Sequence, residues 1–154
     1  MKPLIALCSL LLSFTVSTAQ PIALKLRPLE GYYVDAKYPL KKGPNFFVIT
    51  NDFRFEQMFG KIDNPKGPDF ELEHVVVMAL PPMKRDAQLS FSPGIYKAGN
   101  YMEVYCSVKE DKKHKLPYVN YPVVVAAVPV YFSVSRINFY DQQTRELLAS
   151  VPVR

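Results

Sequence analysis

The sequence predicts a mainly β domain, an antiparallel β-sandwich or an open barrel, with one short helix at about residues 52–59. In several segments apolar and polar residues alternate with a period of two, as they do in half-buried strands. Turn signals recur roughly every 8–12 residues, which is typical of sandwiches and barrels. The chain has 154 residues, of which 49% are hydrophobic and 21% charged. This length and balance fit a single globular domain.

The first 19 residues predict a signal peptide. Lys2 supplies a positive start, residues 4–16 are an apolar stretch, and small residues precede Gln20, which predicts cleavage before that residue. The apolar stretch is shorter than the roughly 20 residues that a membrane-spanning helix needs. Cys8 lies too early, and follows a leucine, so it does not fit a lipoprotein signal. We therefore expect an exported protein, periplasmic or extracellular, whose mature part is one domain at residues 20–154 without a membrane span.

The first strands of the mature chain are predicted from their apolar patterns. Residues 22–26 alternate strictly, and residues 31–38 alternate more loosely. Residues 41–44 (KKGP) indicate a turn, and residues 45–50 (NFFVIT) form a compact apolar strand.

The predicted helix follows at once. Asn51 or Asp52 can accept backbone N–H bonds as the N-cap. Phe55, Met58 and Phe59 have the spacing of one helix face, and the glycine that follows suits the residue after a helix end. A helix of two turns is marginal alone, so we expect this one to depend on packing.

The second half of the chain predicts further strands, separated by loops. Residues 61–69 and the charged residues 109–115 are predicted loops, and Pro93-Gly94 and residues 141–144 are predicted turns. The charged loop suits a solvated hairpin tip better than a site for anionic lipid or glycan. The predicted strands are residues 74–80, 88–92, 101–108 with Cys106 inward, 121–128, 130–139 with Phe132 inward, and 147–151.

Several classes of chemistry lack support. His74, His114 and Cys106 are too few and too scattered for a metal site, and we expect no cofactor. Cys106 shares a strand face with apolar residues and is expected to be a buried, inert thiol rather than a nucleophile. No glycine-rich phosphate loop is present, and a net charge of +5 is mild, so neither nucleotide nor nucleic acid is expected as a ligand.

A hydrolase is the weakest alternative. Asp69, Glu71 and Glu73 alternate before His74 and are the candidates for acid–base chemistry. The same carboxylates are more typical of an exposed strand edge, where charge prevents aggregation. No nucleophile-elbow motif accompanies them.

The tyrosines suggest a binding surface. Tyr101, Tyr105, Tyr131 and Tyr140 fall on the polar-facing positions of predicted strands, and Arg136 lies near them in sequence. Tyrosine and arginine are frequent anchors of protein interfaces. The competing interpretation is that these tyrosines form a second packing layer under the helix or the other sheet.

Residues 45–60 (NFFVITNDFRFEQMFG) and 67–80 (GPDFELEHVVVMAL), with the strands that follow, resemble the PrcB-like domain over about residues 45–140. Phe47-Val48-Ile49 matches that family's strand, residues 55–59 its helix, Asp69-Phe70 its Asp-Phe pair and residues 74–80 its apolar strand. The Gly-Gly-Tyr segment that often follows this strand in the family is missing. The resemblance implies a non-catalytic accessory subunit that binds and stabilises a bacterial surface protease.

We therefore expect a non-enzymatic, exported protein-binding module, whose partner is an envelope protease or assembly. Its expected binding residues are Tyr101, Tyr105, Tyr131, Arg136 and Tyr140. The alternative is a secreted protease inhibitor that presents the proline-bounded loops at residues 61–69 and 81–87. An envelope hydrolase comes third and would depend on Asp69, Glu71, Glu73 or His74.

Overall fold

The structure is a computed structural model that describes residues 21–96 and 99–154. The predicted signal peptide and its cleavage site before Gln20 lie outside the described residues. The described part is mainly β with one short helix, which confirms the predicted fold class. Two separate sheets pack face to face, so the architecture is a sandwich. No helix in the described part of the chain is long and apolar enough to span a membrane.

Nine strands and the helix α1 make up the two sheets and their cover. In chain order they are β1 (Ile22–Leu24), β2 (Arg27–Pro28), β3 (Asn45–Ile49), α1 (Asp52–Phe59), β4 (Glu73–Ala79), β5 (Met83–Tyr96), β6 (Tyr101–Asn120), β7 (Val123–Pro129), β8 (Arg136–Asp141) and β9 (Leu147–Pro152). One sheet has the order β1-β5-β6-β8-β9 and the other the order β2-β7-β4-β3. All neighbours are antiparallel except β6 and β8, which are parallel.

The inter-sheet core is built from alternate residues of the central strands, as the period-two pattern requires. The five-stranded sheet contributes residues that are fully buried, and the four-stranded sheet opposes them with equally apolar side chains. The residues of this core include Met102, Val104, Cys106, Ile137 and Phe139 from the five-stranded sheet, and Val76, Met78, Ala126 and Val128 from the four-stranded sheet.

A second core lies on the other face of the four-stranded sheet, where α1 packs. Asn51 caps the helix, because its side chain accepts the backbone N–H of Arg54 at 3.0 Å. Phe55, Met58 and Phe59 are buried as the helix face predicted. The ring of Phe55 lies 5.0 Å from that of Tyr32 and 4.8 Å from that of Phe59, centroid to centroid. These aromatic contacts hold a helix that is too short to be stable alone.

Residues 31–38, predicted as a loose strand, form no strand. Tyr32 and Val34 are nevertheless buried, because this segment lies beside α1 over the four-stranded sheet. The apolar alternation of residues 31–38 therefore predicted correctly which side chains are buried. It predicted wrongly that their backbone pairs in a sheet. At the start of the mature chain, Ile22 is exposed rather than inward, because β1 is a three-residue edge strand.

The predicted Pro93-Gly94 turn is wrong, because β5 continues through it. The pairing of β5 with β6 shifts between Ser92 and Ile95, which is typical of a β-bulge. A Cβ atom at Gly94 would lie 2.1 Å from the carbonyl oxygen of Glu103. Glycine is therefore required here for the close approach of two strands and not for reversal of the chain.

The predicted loops at residues 81–87 and 109–115 are also wrong in most of their length. Strand β5 begins at Met83, and β6 runs through residues 109–115, with register shifts between Met83 and Ala87. The charged residues lie on an exposed two-stranded extension, where neither face needs to be apolar. Conversely, residues 130–135 are not strand, and Phe132 is fully exposed in a turn rather than inward.

An ion pair within the four-stranded sheet, between Arg27 and Glu73, also holds the loop at residues 61–72. Arg27 donates from Nε to Glu73 Oε1 at 2.9 Å, and its Nη2 forms a second bond to the other carboxylate oxygen. The same guanidinium donates to the carbonyl oxygens of Lys66 and Gly67. The bond from Arg27 lowers the pKa of Glu73, and the backbone N–H of Asp69 adds to the effect.

We expect Arg27 and Glu73 to stabilise the fold by a modest, pH-dependent amount. A double-mutant cycle with Arg27→Gln and Glu73→Gln should give a coupling of about 0.5–1 kcal/mol at neutral pH, because the Arg27 side chain is 41% exposed. The folded-state pKa of Glu73 is lowered, so this stabilisation is present above the glutamate pKa of the unfolded chain. It is lost as the pH falls through the lowered pKa. Urea unfolding at neutral and acid pH measures it, and an equal coupling at both would contradict this account.

Candidate functional site

The outer face of the five-stranded sheet carries most of the residues that the sequence singled out. Met102, Val104 and Cys106 point into the inter-sheet core, so the alternate residues of β6 point outward. These outward residues are Tyr101, Glu103 and Tyr105.

The parallel pairing of β6 with β8 brings the rest of the set together. Tyr101 lies opposite Arg136, Glu103 opposite Asn138 and Tyr105 opposite Tyr140. In the described structure none of the three tyrosines belongs to, or packs against, either hydrophobic core. They lie half-buried on the outer side of the sheet. We call this surface the tyrosine face and define it as Tyr101, Glu103, Tyr105, Arg136, Asn138, Tyr140 and Arg145.

Tyr105 is the centre of the tyrosine face, and both its ring and its hydroxyl contact neighbouring side chains. Its ring centroid lies 6.0 Å from that of Tyr140 and 4.3 Å from the guanidinium carbon of Arg145, a cation–π distance. Its hydroxyl donates to Glu103 Oε2 at 2.8 Å, and Glu103 is only 6% exposed. A hydrogen bond to a buried carboxylate is stronger than one in water, so Tyr105 is held in one orientation.

Arg145 reaches Tyr105 because of the turn between β8 and β9. Asp141 accepts the backbone N–H groups of Gln143 and Thr144, each at 2.8 Å, and these bonds lower its pKa. Arg145 then adopts a φ of 63°, a left-handed conformation that is uncommon outside glycine. On the other side of β8, Ser150 donates to Asn138 Oδ1 at 2.7 Å. Asn138 and Arg145 are therefore fixed by contacts within the chain.

Sequence reasoning missed three members of this face and misplaced one residue. Glu103 and Asn138 alternate with inward residues of their strands, so their positions were predictable, whereas that of Arg145 depends on the β8–β9 turn. Tyr131, predicted as a binding residue, lies instead in the segment after β7 and packs against the inter-sheet core. The predicted strand at residues 130–139 begins only at Arg136, so its alternation did not describe Tyr131.

The carboxylates proposed for hydrolysis are not assembled with His74. Glu73 is bonded to Arg27, and Asp69 accepts the backbone N–H of Glu71 in a turn. His74 is the next residue of β4 and therefore points to the opposite face of the sheet. Burial lowers its pKa, and its Nδ1 atom is buried without a hydrogen-bond partner.

No group of three or more metal-ligating side chains occurs among residues 21–96 and 99–154. A cavity of about 220 Å³ lies where β4 ends and β7 begins. It is mainly apolar, and Asp35 is the charged residue in its lining. Pockets that enclose small-molecule ligands usually measure about 300–1,000 Å³, so this one is small.

Cys106 is buried in the inter-sheet core, as predicted. Burial, with a smaller contribution from Asp141, raises the pKa of its thiol to about 12. We expect iodoacetamide at mildly alkaline pH to leave the folded chain of residues 20–154, in which Cys106 is the single cysteine, unmodified. In denaturant it should label Cys106 fully, as read by mass spectrometry. The control is Ser107→Cys in a Cys106→Ala background, which places a thiol on the outer face and should react quickly. Rapid labelling of Cys106 in the folded protein would show that the core is open.

Comparisons with protein-family models, with curated proteins and with solved structures find no match to this chain. The resemblance of residues 45–140 to the PrcB-like domain stays a prediction.

Proposed function

We propose that this chain is an exported, non-catalytic protein-binding module that docks its partner on the tyrosine face. One observation carries the proposal: the outer face of the five-stranded sheet presents three half-buried tyrosines and two arginines, and contacts within the chain fix the central tyrosine. Tyrosine and arginine supply most of the binding energy in many protein interfaces.

Preorganisation supports this function as much as composition does. A side chain that is mobile before binding loses about 0.5–1.5 kcal/mol of conformational entropy when it is immobilised in an interface. Contacts with Glu103, Tyr140 and Arg145 already immobilise Tyr105 in the free protein, so it loses little further conformational entropy on binding. Ordered aromatic anchors of this kind are typical of surfaces that bind without rearrangement.

The charges on the face favour an acidic partner surface. Arg136 is exposed and makes no side-chain hydrogen bond or ion pair within the described structure, and Arg145 lies above Tyr105. The carboxylate of the face, Glu103, is buried and accepts the Tyr105 hydroxyl, so it is shielded from solvent. Exposed cations around aromatic rings suit carboxylates at the rim of an interface.

The identity of the partner rests on the sequence. The predicted signal peptide directs the chain out of the cytoplasm, and the resemblance to the PrcB-like domain favours an envelope protease or assembly. We propose that the chain stabilises such a partner rather than inhibits it.

The test is capture of partners from a cell-envelope extract by a tagged chain of residues 20–154. Tyr105→Ala and Arg136→Ala should each weaken binding of the captured partner by about 30-fold, which is the effect of losing roughly 2 kcal/mol at an interface anchor. Binding should also weaken as salt rises, because the arginines are exposed. The captured partner is then purified, and its affinity for each variant is measured by calorimetry.

Tyr33→Ala is the matched control, since Tyr33 is 70% exposed but lies in the segment beside α1, away from the tyrosine face. This variant should bind as the unaltered chain does. A partner bound equally by Tyr105→Ala, Arg136→Ala and Tyr33→Ala would exclude the tyrosine face as its docking surface. Failure of the folded chain to capture any partner would overturn the proposed function.

A further inference from the structure

On one side of the sandwich the edge strands β3 and β9 lie close together, and the Thr50 hydroxyl, just after β3, donates to the carbonyl oxygen of Arg154, just after β9. On the opposite side the edges are β1 and β2, of three and two residues, and the chain itself passes there from one sheet to the other. Where β3 and β9 meet, they border a groove of about 350 Å³, which is lined by both strands and by α1. The two edge strands differ in which of their backbone N–H and C=O groups are free to pair with another strand.

The hydrogen-bond pattern shows which β3 groups are free. Leu80 donates its N–H to Pro122 at 3.0 Å, and Val130 donates to Leu72 at 2.9 Å, across the antiparallel pairing of β4 with β7. Bonded pairs alternate in such a ladder, so the even-numbered residues of β4 bond to β7 and the odd-numbered ones bond to β3.

The β3 partners of those odd-numbered residues are Asn45, Phe47 and Ile49. The backbone N–H and C=O groups of Phe46 and Val48 consequently point away from the sheet, into the groove. These four groups have no backbone partner within the described structure. An extended chain laid along β3 would pair with all four.

Strand β9 is protected against such pairing, whereas β3 is not. Val153 donates its N–H to Ser135, so the outward positions of β9 are Ser150 and Pro152, and proline has no N–H. Strand β3 has the sequence NFFVI, with no charge, no proline and no bulge against β4. Edge strands of this kind are usually blocked, because they recruit further strands. The outward backbone groups of β3 are therefore available to pair with an added strand, although its side chains are buried or half-buried.

The groove wall indicates what kind of strand fits. The lining holds two arginines, Arg54 and Arg154, and no Asp or Glu, and the floor includes Phe46, Val48 and Val151. Arg154 also carries the terminal carboxylate of this 154-residue chain, so Arg54 supplies the net positive charge of the groove. An extended segment with alternate apolar side chains and carboxylates would complement both the floor and the rim. A second copy of this chain is less suitable, because each copy carries a net charge of +5 and the same arginines.

We infer that the β3 edge is a second interaction site, which takes an acidic, extended peptide segment of another protein as an added strand. The site is separate from the tyrosine face and does not require it. Main-chain bonds to Phe46 and Val48 give the affinity, and the alternate side chains of the segment enter the groove.

The probe is an acetylated and amidated heptapeptide, Glu-Val-Thr-Val-Thr-Val-Glu, carrying a fluorescent label for anisotropy measurements. The chain of residues 20–154 should bind it saturably, and its Lys-flanked counterpart should bind at least several-fold more weakly at low salt. Val48→Pro removes an outward N–H and keeps the ladder to β4, so it should weaken binding about ten-fold, the effect of one lost backbone hydrogen bond. Val48→Ala keeps that N–H and is the matched control for lost packing.

Amide hydrogen exchange on the unaltered chain gives a second readout, which does not depend on the folding of any variant. The Val48 amide should exchange quickly in the free protein and slowly with the peptide bound. The Phe47 amide, bonded to β4, should be slow in both states. No binding of the acidic peptide, or equal binding by Val48→Pro and Val48→Ala, would overturn the inference. Self-association abolished by Val48→Pro would assign the edge to a second copy instead.

Discussion

The burial of β4 on both of its faces is the constraint on which the rest of the structure depends. Residues 75–79 are wholly buried, and their side chains alternate between the inter-sheet core and the core under α1. A strand with two apolar faces needs a covering layer on each side. The five-stranded sheet supplies one layer, and α1 with the segment beside it supplies the other. Deleting a side chain here would leave a cavity that costs about 2–5 kcal/mol for the larger residues.

This layering also determines which surfaces remain available for binding. The four-stranded sheet is covered on both faces, whereas the described residues cover the five-stranded sheet on one face only. The other face of that sheet must therefore carry polar side chains or bind a partner, since a large exposed apolar surface favours aggregation. Tyr101, Tyr105 and Tyr140 meet that requirement, because each ring offers apolar contact area and a polar hydroxyl. Glu103 and Arg145 then orient the ring that lies between them.

Local patterns predicted the buried elements well and the exposed ones poorly. Residues 45–49, 52–59 and 74–79 were predicted nearly to the residue, because burial imposes strict apolar patterns on strands and helix alike. The extension at residues 109–120 is exposed, so no pattern is imposed on it, and its charges indicated a loop. Gly94 was misread because a bulge and a turn both need a residue without Cβ, and the Glu103 carbonyl that requires it is distant in sequence. Tyr131 was misread because alternation continues past the end of β7 while the strand does not.

Four residues of the tyrosine face were predicted from the sequence, but their arrangement was not. Alternation placed Tyr101 and Tyr105 outward, but only the parallel pairing of β6 with β8 brings Arg136 and Tyr140 beside them. Strand pairing is a long-range property that sequence alternation does not encode.

The two proposed sites use different parts of the chain, and this difference bears on how they would act together. The tyrosine face offers side chains, so its selectivity depends on the shape and charge of the partner. The β3 edge offers backbone groups, so it accepts any segment that extends and fits the groove. Strand β9 lies between them: it pairs with β8, which carries Arg136 and Tyr140, and Val151 lines the groove. A single partner that spans β9 would gain from both sites, because the second contact would form at a high effective concentration. Two separate partners would bind independently, since Tyr105 and Val48 lie on different sheets and share no contact, so the effects of changing them should add.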